Sequence, residues 1–169
     1  MLLSCASCDI LCKKVAPQSP SNKSVPDSAT ASVLELNQRL AAEADKEINA
    51  IAERLNDSLS ALGSSLYQRH EQGYWVRVIN AGEGDTLAFD EHATIEYAIR
   101  LTDGTMAEQT SREITVGRKE VPDAIDITLT RLRHGAHADI IAPWALLYGR
   151  MGTEKIPPYS QAIIALTIK

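Results

Sequence analysis

Apolar residues recur at steps of three and four from Val33 to about Arg69, which is the spacing of one face of an α-helix. The stripe consists of Leu36, Leu40, Ile48, Ile51, Leu55, Leu59, Leu62 and Leu66. No proline interrupts the run, and Gly73 follows it as a stop. The pattern therefore predicts one long amphipathic helix in a segment of residues 32–72, or two helices that break near Gly63.

The apolar stripe of this segment has to be buried on another surface, because charged residues such as Glu43, Lys46 and Glu53 occupy the other faces. Two surfaces fit the pattern equally well. One is the domain that follows in the chain, and the other is the same helix of a second copy. The second alternative predicts a homodimer through the N-terminal helix.

After Gly73 the pattern changes to an alternation with a period of two, which is typical of β-strands. Ile95, Tyr97, Ile99 and Leu101 alternate on one face of a segment that ends in the hairpin turn Asp103-Gly104. The same texture predicts strands over Tyr74–Gly82, Arg112–Gly117, Ala136–Pro143 and Gln161–Lys169.

One short helix interrupts these strands. In Val121–Gly135 the residues Ile125, Leu129 and Leu132 form one stripe, with Pro122 at the start and Gly135 as the stop. A single short helix among antiparallel strands predicts an α+β fold, in which a curved antiparallel β-sheet wraps on the helix. This domain extends over residues 73–169.

Composition excludes several classes of function. The chain has 169 residues and a formal net charge of −5, which suits one compact domain with an extension. The mild acidity argues against a nucleic-acid partner, because phosphate contacts require clustered Lys and Arg. No apolar run is long enough to span a bilayer.

All the cysteines, Cys5, Cys8 and Cys12, lie close together at the N-terminus. A disulfide framework would distribute cysteines through the fold, so that interpretation is rejected. The Cys-x2-Cys-x3-Cys spacing offers metal ligands, but a structural zinc site uses four and His70 is distant in sequence. We therefore predict no metal site.

The segment Leu2–Cys5 reads LLSC and resembles the lipobox of bacterial lipoproteins, which implies lipidation of Cys5 within a leader of residues 1–14. Only four residues precede Cys5, whereas a secretory signal needs an apolar stretch of about 7–15. The alternatives are a natural start further upstream and a chance match. Residues 15–31, rich in Pro and Ser, predict a flexible linker that separates an extracytoplasmic domain of the cell envelope from a lipid anchor in the membrane.

Two segments carry a resemblance to a known family. They read EYAIRLTDGT, residues 96–105, and APWALLYGRMGTEKIPPYSQAIIALTIK, residues 142–169. The order of a hairpin with Tyr and Asp-Gly, a Tyr-Gly pair and an Ile-Pro-Pro before the last strand resembles peptidyl-prolyl cis-trans isomerases of the FK506-binding protein (FKBP) type. The resemblance extends from about Tyr74 to Lys169.

The resemblance implies a folding helper that binds proline-containing polypeptide segments and needs no cofactor. The barrier to X-Pro isomerisation, about 18–20 kcal/mol, comes from amide resonance. A cleft poor in water can lower it by binding the twisted amide more tightly than the planar one, without a nucleophile or an acid–base pair. Accordingly, His70, His92, His134 and His137 are interpreted as surface residues.

The family pattern places several residues in the cleft. Tyr97 matches the aromatic residue on the hairpin strand, and Tyr148 matches the tyrosine whose hydroxyl bonds a substrate carbonyl in the family; both are our candidate catalytic residues. Val121 and Ile156 match apolar residues of the substrate-binding pocket.

Other pocket positions depart from the family. Ala107 and Glu108 stand where the family has an aromatic residue and an aspartate, Ile125 stands where it has a tryptophan, and Ile164 replaces a phenylalanine. Losing three aromatic side chains removes surface that would hold a proline ring. These departures predict weakened isomerase activity. The alternative is a non-catalytic binding or scaffolding module that uses the N-terminal helix as its interaction surface.

Pro122 occupies the family position that offers a backbone N–H to the ligand, and proline has no N–H. If the alignment shifts by one residue, Pro122 only opens the helix and Val121 becomes the donor. The sequence leaves these two alternatives open.

Overall fold

The computed structural model describes residues 28–169. Cys5, its proposed lipidation, the other cysteines and the predicted leader lie outside the described residues. Most of the predicted linker also lies outside them, although its last residues, 28–31, belong to the first helix.

The described chain forms two α-helices, one 3₁₀ turn and eight β-strands. In chain order they are α1 Ser28–Ala61, β1 Gln68–Arg69, β2 Trp75–Asn80, β3 Glu83–Thr86, β4 His92–Leu101, β5 Met106–Thr115, α2 Asp123–Leu129, β6 Arg133–His134, β7 His137–Ala142, the 3₁₀ turn Trp144–Leu146 and β8 Ala162–Ile168. Among these residues no helix has both the length and the apolar character that a membrane span requires.

The first helix ends at Ala61, before the predicted end near Arg69. Gly63 stops it: this residue adopts a φ of 64°, and its N–H donates to the carbonyl of Ser60 while the N–H of Ser64 donates to that of Leu59. This pair of bonds is the Schellman motif, which needs a left-handed residue and favours glycine. The predicted break near Gly63 is therefore real, but strand β1 follows it instead of a second helix.

The strands form a six-stranded antiparallel sheet in the order β1-β2-β7-β8-β4-β5, and β3 pairs with β6 in a small second sheet. The C-terminal strand β8 lies between β7 and β4, where Ile164 pairs with Ile140 on one side and with Ile99 on the other. The predicted α+β architecture, an antiparallel sheet with one short helix and a long N-terminal helix, is confirmed.

Both faces of this sheet are apolar near its centre. One face contributes Ile95, Ile99, Ile140 and Ile164 to the main core, which also contains Ile125 and Leu129 of α2. The opposite face contributes Trp75, Ile141 and Ile163 to a second cluster. The two clusters follow from the period of two, because successive side chains of a strand point to opposite faces.

Helix α1 covers the second face. Its residues Ile48, Ile51 and Ala52 pack in the same cluster as Ile141 and Ile163. The middle of the helical stripe is thus buried on the domain that follows in the chain, the first of the two alternatives. Some residues of the predicted stripe remain exposed, namely Leu36, Leu62 and Leu66.

Two asparagine side chains of α1 make hydrogen bonds with the part of the chain that follows the helix. The side chain of Asn56 accepts a bond from the backbone N–H of Tyr67 at 2.7 Å and donates to the Tyr67 carbonyl at 3.0 Å. The indole N–H of Trp75 donates to the side-chain oxygen of Asn49 at 2.9 Å. These bonds satisfy polar groups that packing against the helix would otherwise leave without partners.

The second helix is shorter than the segment Val121–Gly135 predicted for it, because it ends at Leu129 and Arg133–His134 forms β6. Its Asp126 is almost fully buried, and the carboxylate accepts the backbone N–H groups of Gly117 at 2.8 Å and Lys119 at 3.2 Å. This contact ties the loop after β5 to α2, and the same loop forms one wall of the cavity described next.

Candidate active site

A cavity of about 420 Å³ lies where β4, β5, the start of α2 and the loop after β7 meet. Several residues singled out from the sequence line it together, namely Tyr97, Glu108, Val121, Pro122 and Tyr148. The rest of the lining was not anticipated and consists of Leu147 with the charged residues Arg112, Lys119, Glu120 and Asp123. The cavity therefore has tyrosines on its walls and charges around its rim.

The two tyrosines are joined by Glu108. The hydroxyl of Tyr97 donates to Oε1 of Glu108 at 2.8 Å, and the hydroxyl of Tyr148 donates to Oε2 at 2.8 Å. Burial, with the hydrogen bond and charge of Glu108 adding to it, raises the pKa of Tyr97 to about 12. The same causes raise the pKa of Tyr148. Both phenols are therefore protonated donors near neutral pH.

The register of the β4–β5 hairpin places Glu108 on the cavity side. The ladder is regular up to the pair Ile99–Glu108. Because paired residues of an antiparallel ladder share a face, Glu108 lies on the side of the buried Ile99. Just beyond this pair the register shifts, so that Arg100 pairs with Met106 and Ala107 has no partner. This extra residue is a β-bulge, and it puts Ala107 instead of Met106 on the buried side.

The remaining predicted pocket residues do not line the cavity. Ala107, Ile125, Ile156 and Ile164 are buried in the main core, with exposed fractions of 7%, 0%, 1% and 0%. The structure thus brings five of the predicted site residues together at the cavity and leaves these four in the closed core.

Pro122 stands directly before α2, and its carbonyl accepts the backbone N–H groups of Ile125 at 2.9 Å and Asp126 at 3.1 Å. Its fixed ring suits this position, where a helix needs no N–H. The backbone N–H of Val121, also in the cavity lining, makes no hydrogen bond with any residue in the range 28–169. Pro122 is thus seen to open the helix, and the N–H of Val121 stays unpaired.

The rim charges form ion pairs with one another. Arg112 approaches Glu120 at 3.9 Å, and Lys119 approaches Asp123 at 3.4 Å. Sequence reasoning missed these residues, although Glu108 and Arg112 have the even spacing of one strand face and Glu120 and Asp123 flank the Val121-Pro122 pair. The hairpin register was the missing information.

The histidines lie elsewhere. His92, His134 and His137 are exposed, and His134 bonds Glu91 at 2.9 Å. His70 is half-buried and stacks on Tyr74, with ring centroids 4.5 Å apart. None of them lines the cavity. In the described range no group of His, Cys, Asp or Glu side chains has the arrangement of a metal site.

The loop that precedes β8 is folded tightly on itself. The N–H of Thr153 donates to the Ile156 carbonyl at 2.7 Å, and the N–H of Ile156 donates to the Thr153 hydroxyl at 3.1 Å. Gly152 adopts a φ of 63°, and a Cβ there would collide with the backbone of Ile156, Pro157 and Pro158. Only glycine fits this position, and the resulting turn places Ile156 in the core.

Comparison with known proteins agrees with this geometry. Residues 79–169 match the family model described as FKBP-type peptidyl-prolyl cis-trans isomerase, and the chain belongs to this family. A curated relative is the peptidyl-prolyl cis-trans isomerase Mip of Coxiella burnetii, with 28% identity over 95 residues that cover 54% of this chain and 41% of the relative. The chain therefore matches less than half the length of that protein.

Solved structures show the same fold. The N-terminal domain of FKBP42 from Arabidopsis thaliana superimposes with a TM-score of 0.56 at 16% identity, over 62% of this chain and 91% of that one. A peptidyl-prolyl cis-trans isomerase from Pseudomonas syringae pv. tomato gives a TM-score of 0.54 at 18% identity, over 60% of this chain and 77% of that one. At these identities the likeness concerns the fold.

We predict that Gly152→Ala destabilises the protein more than Gly149→Ala. Both glycines have a positive φ, but a Cβ at Gly149 meets nothing within 4 Å. The control variant Gly149→Ala should lower the free energy of unfolding by about 1–2 kcal/mol, because alanine is unfavourable in a left-handed backbone. Gly152→Ala should lower it by roughly 1–3 kcal/mol more, because its Cβ also collides with the loop. Urea unfolding measures both free energies, and equal losses would contradict the close approach of the loop to Gly152.

Proposed function

We propose that this chain catalyses the cis–trans isomerisation of X-Pro bonds in proteins of the cell envelope, as a folding helper with weakened activity. The observation that supports the proposal most is the shared cavity of Tyr97, Tyr148 and Val121. Its walls offer an apolar contact surface and hydrogen-bond donors, which is what a twisted prolyl amide requires. Membership of the isomerase family supports the same conclusion.

The chemistry needs no covalent step. When the C–N bond of the X-Pro amide twists, resonance is lost, the carbonyl becomes ketone-like and the nitrogen becomes pyramidal with a localised lone pair. Val121 supplies an unpaired N–H for a carbonyl oxygen of the bound segment, and Tyr148 supplies a hydroxyl once it leaves Glu108. Donors that fit the twisted geometry better than the planar one lower the barrier, because only differential binding accelerates a reaction.

The aliphatic residues at the family's aromatic pocket positions are the reason to expect weakened activity. Ala107, Ile125 and Ile164 are aliphatic and closed into the core, so they offer a proline ring little open surface. The rim carries paired charges, whose hydration favours water over an apolar ring. Substrate should therefore be held weakly.

The proposed location rests on the N-terminal sequence. Lipidation of Cys5 would attach the chain to a membrane, and residues 15–27 of the predicted linker, which precede α1, would act as a spacer. A lipid anchor with a spacer suits a folding helper that meets polypeptides outside the cytoplasm.

A second candidate function is a non-catalytic binding module. The observation that favours it is the exposed apolar group Val33, Leu34 and Leu36 on α1, with exposed fractions of 50%, 53% and 42%. Apolar residues exposed together on one helix mark interaction surfaces. In this alternative the helix holds a second copy of the chain, as a homodimer.

The isomerase proposal predicts that the full chain accelerates isomerisation of X-Pro tetrapeptides in a protease-coupled assay. Tyr148→Phe should lower kcat/KM about fivefold, the effect of losing one hydrogen bond to substrate. Tyr159→Phe is the matched control, because Tyr159 packs against Trp144 and does not line the cavity. Wild-type activity at the uncatalysed rate would refute the isomerase and favour the binding module.

The anchor proposal predicts that protein from its native host carries a lipid on Cys5. Intact-mass and peptide mass spectrometry of the membrane fraction should show the added mass on the Cys5 peptide. Cys5→Ser should remove both the mass and the membrane association. An unmodified Cys5 in the wild-type protein would rule the anchor out.

The dimer proposal predicts that the full chain is dimeric and that the triple variant Val33→Gln, Leu34→Gln, Leu36→Gln is monomeric, as light scattering after size exclusion would show. Leu62→Gln is the control, since Leu62 is 77% exposed just beyond the end of α1. Point changes are preferable to deleting the helix, because deletion would uncover Ile141 and Ile163. A monomeric wild type at all concentrations would exclude the dimer.

A further inference from the structure

Glu108 accepts a hydrogen bond from the hydroxyl of each cavity tyrosine. Its two carboxylate oxygens lie 2.8 Å from the hydroxyls of Tyr97 and Tyr148, one oxygen to each. A phenol has one proton to donate. In this arrangement neither hydroxyl has a proton left for a bound peptide, and toward a ligand Tyr148 presents only acceptor lone pairs.

The carboxylate has no cation of its own. Among residues 28–169, Arg112 pairs with Glu120 and Lys119 pairs with Asp123, and Glu108 makes no ion pair. Arg112 lies near this group, since its positive charge lowers the pKa of both phenols against the larger effects of burial and Glu108. The hydrogen-bond partners of the Glu108 carboxylate are nevertheless the two hydroxyls. Hydrogen bonds to an ionised acceptor are about twice as strong as bonds between neutral groups. A peptide carbonyl, which is neutral, competes poorly with such an acceptor.

We propose that Glu108 is a positioning residue that withholds the Tyr148 hydroxyl from substrate, so that the carbonyl of an X-Pro segment must displace the carboxylate to obtain this donor. The inference rests on the proposed isomerase function and assigns the limit on its rate to a particular contact. This contact differs from the loss of aromatic pocket residues as a cause of weak activity, because a change at Glu108 alone should raise the activity.

The geometry explains why this strand position can act in such a way. The pairing of Glu108 with Ile99 places it on the cavity side of β5, where Tyr97 approaches from β4 and Tyr148 from the loop after β7. The side chain has to reach tyrosines from two separate elements. Tyr97 lies on a strand and is 4% exposed, whereas Tyr148 lies on a loop and is less buried, so Tyr148 is the partner that substrate can draw away.

Removing the acceptor should raise activity. Glu108→Ala should increase kcat/KM about fivefold, the ratio expected when a charge-assisted bond no longer competes with a neutral one. The gain should disappear in the double variant Glu108→Ala with Tyr148→Phe, which a merely structural effect would not require. Glu113→Ala is the matched control, since Glu113 is an exposed glutamate of the same strand. Glu108→Gln, which preserves the side-chain volume, should give a smaller increase and serves if the alanine variant does not fold.

A readout independent of activity separates this inference from the proposed function. In protein labelled with ¹³C at the tyrosine ring carbon that bears the hydroxyl, NMR follows each phenol through its pH titration. Burial, which remains, and Glu108, which is removed, both raise the pKa of Tyr97 and Tyr148. Both titration midpoints should therefore move to lower pH in Glu108→Ala, while that of Tyr74, whose pKa is raised by burial and not by Glu108, stays unchanged.

The outcomes are distinct. Unmoved midpoints, or an active wild type whose Glu108→Ala variant is equally active or slower, would overturn the role of Glu108. If wild type and Glu108→Ala both show the uncatalysed rate while the tyrosine midpoints move, the isomerase function is refuted, and so is the control of its rate by Glu108. The hydrogen bonds from the two tyrosines to Glu108 would still be supported. An inactive wild type that gains activity on Glu108→Ala would support both proposals.

Discussion

The fold depends on a sheet whose central strands are apolar on both faces. Along β7 and β8 one face enters the main core, and on the other face Ile141 and Ile163 enter the cluster under α1. Exposing either face of these strands to water would be unfavourable, since each buried isoleucine contributes roughly 1.5–3 kcal/mol to stability relative to an exposed one. The short helix α2 covers one face and α1 covers the other. The long helix is therefore an integral layer of the domain along its middle turns.

The same constraint positions the cavity. On the face covered by α2, the sheet continues through β4 to the edge strand β5. The cavity lies there and is walled by Tyr97, Val121 and Tyr148. Asp126 adds rigidity, because it binds two backbone N–H groups of the loop that leads into α2. The site is thus built on fixed elements, which suits a reaction that depends on fit.

Within the cavity, electrostatics and packing act in opposite directions. Burial disfavours charge, yet Glu108 lies between two phenols because its pairing with Ile99 puts it on the inner face of β5. Its charge is tolerated through the two hydroxyl donors. This arrangement keeps the tyrosines protonated and ordered, and it also occupies the donors that a peptide carbonyl would use. The local contact, and not only the missing aromatic residues, thereby shapes what the site can bind.

The sequence by itself determined the fold class, the family and most of the elements. Alternation over Ile95, Tyr97 and Ile99 fixed a strand and its buried face, and the spacing of apolar residues around Ile48 and Ile51 fixed a helix, because both periods are local properties of the chain. It left open where α1 ends, since the apolar spacing continues past Gly63 to Leu66, and it left open which surface covers the helix.

Tertiary structure alone decided the arrangement of the site. The predicted strand began at Arg112, and only the hairpin register, in which Glu108 pairs with Ile99, brings Glu108 to the two tyrosines. In the same way, Arg112 reaches the rim because β4 and β5 pair as they do. Periodicity is a property of neighbouring residues, so it can be recognised in the sequence. Strand register and cavity shape depend on packing between residues far apart in the chain. The sequence therefore identified several residues of the site but not the contacts between them.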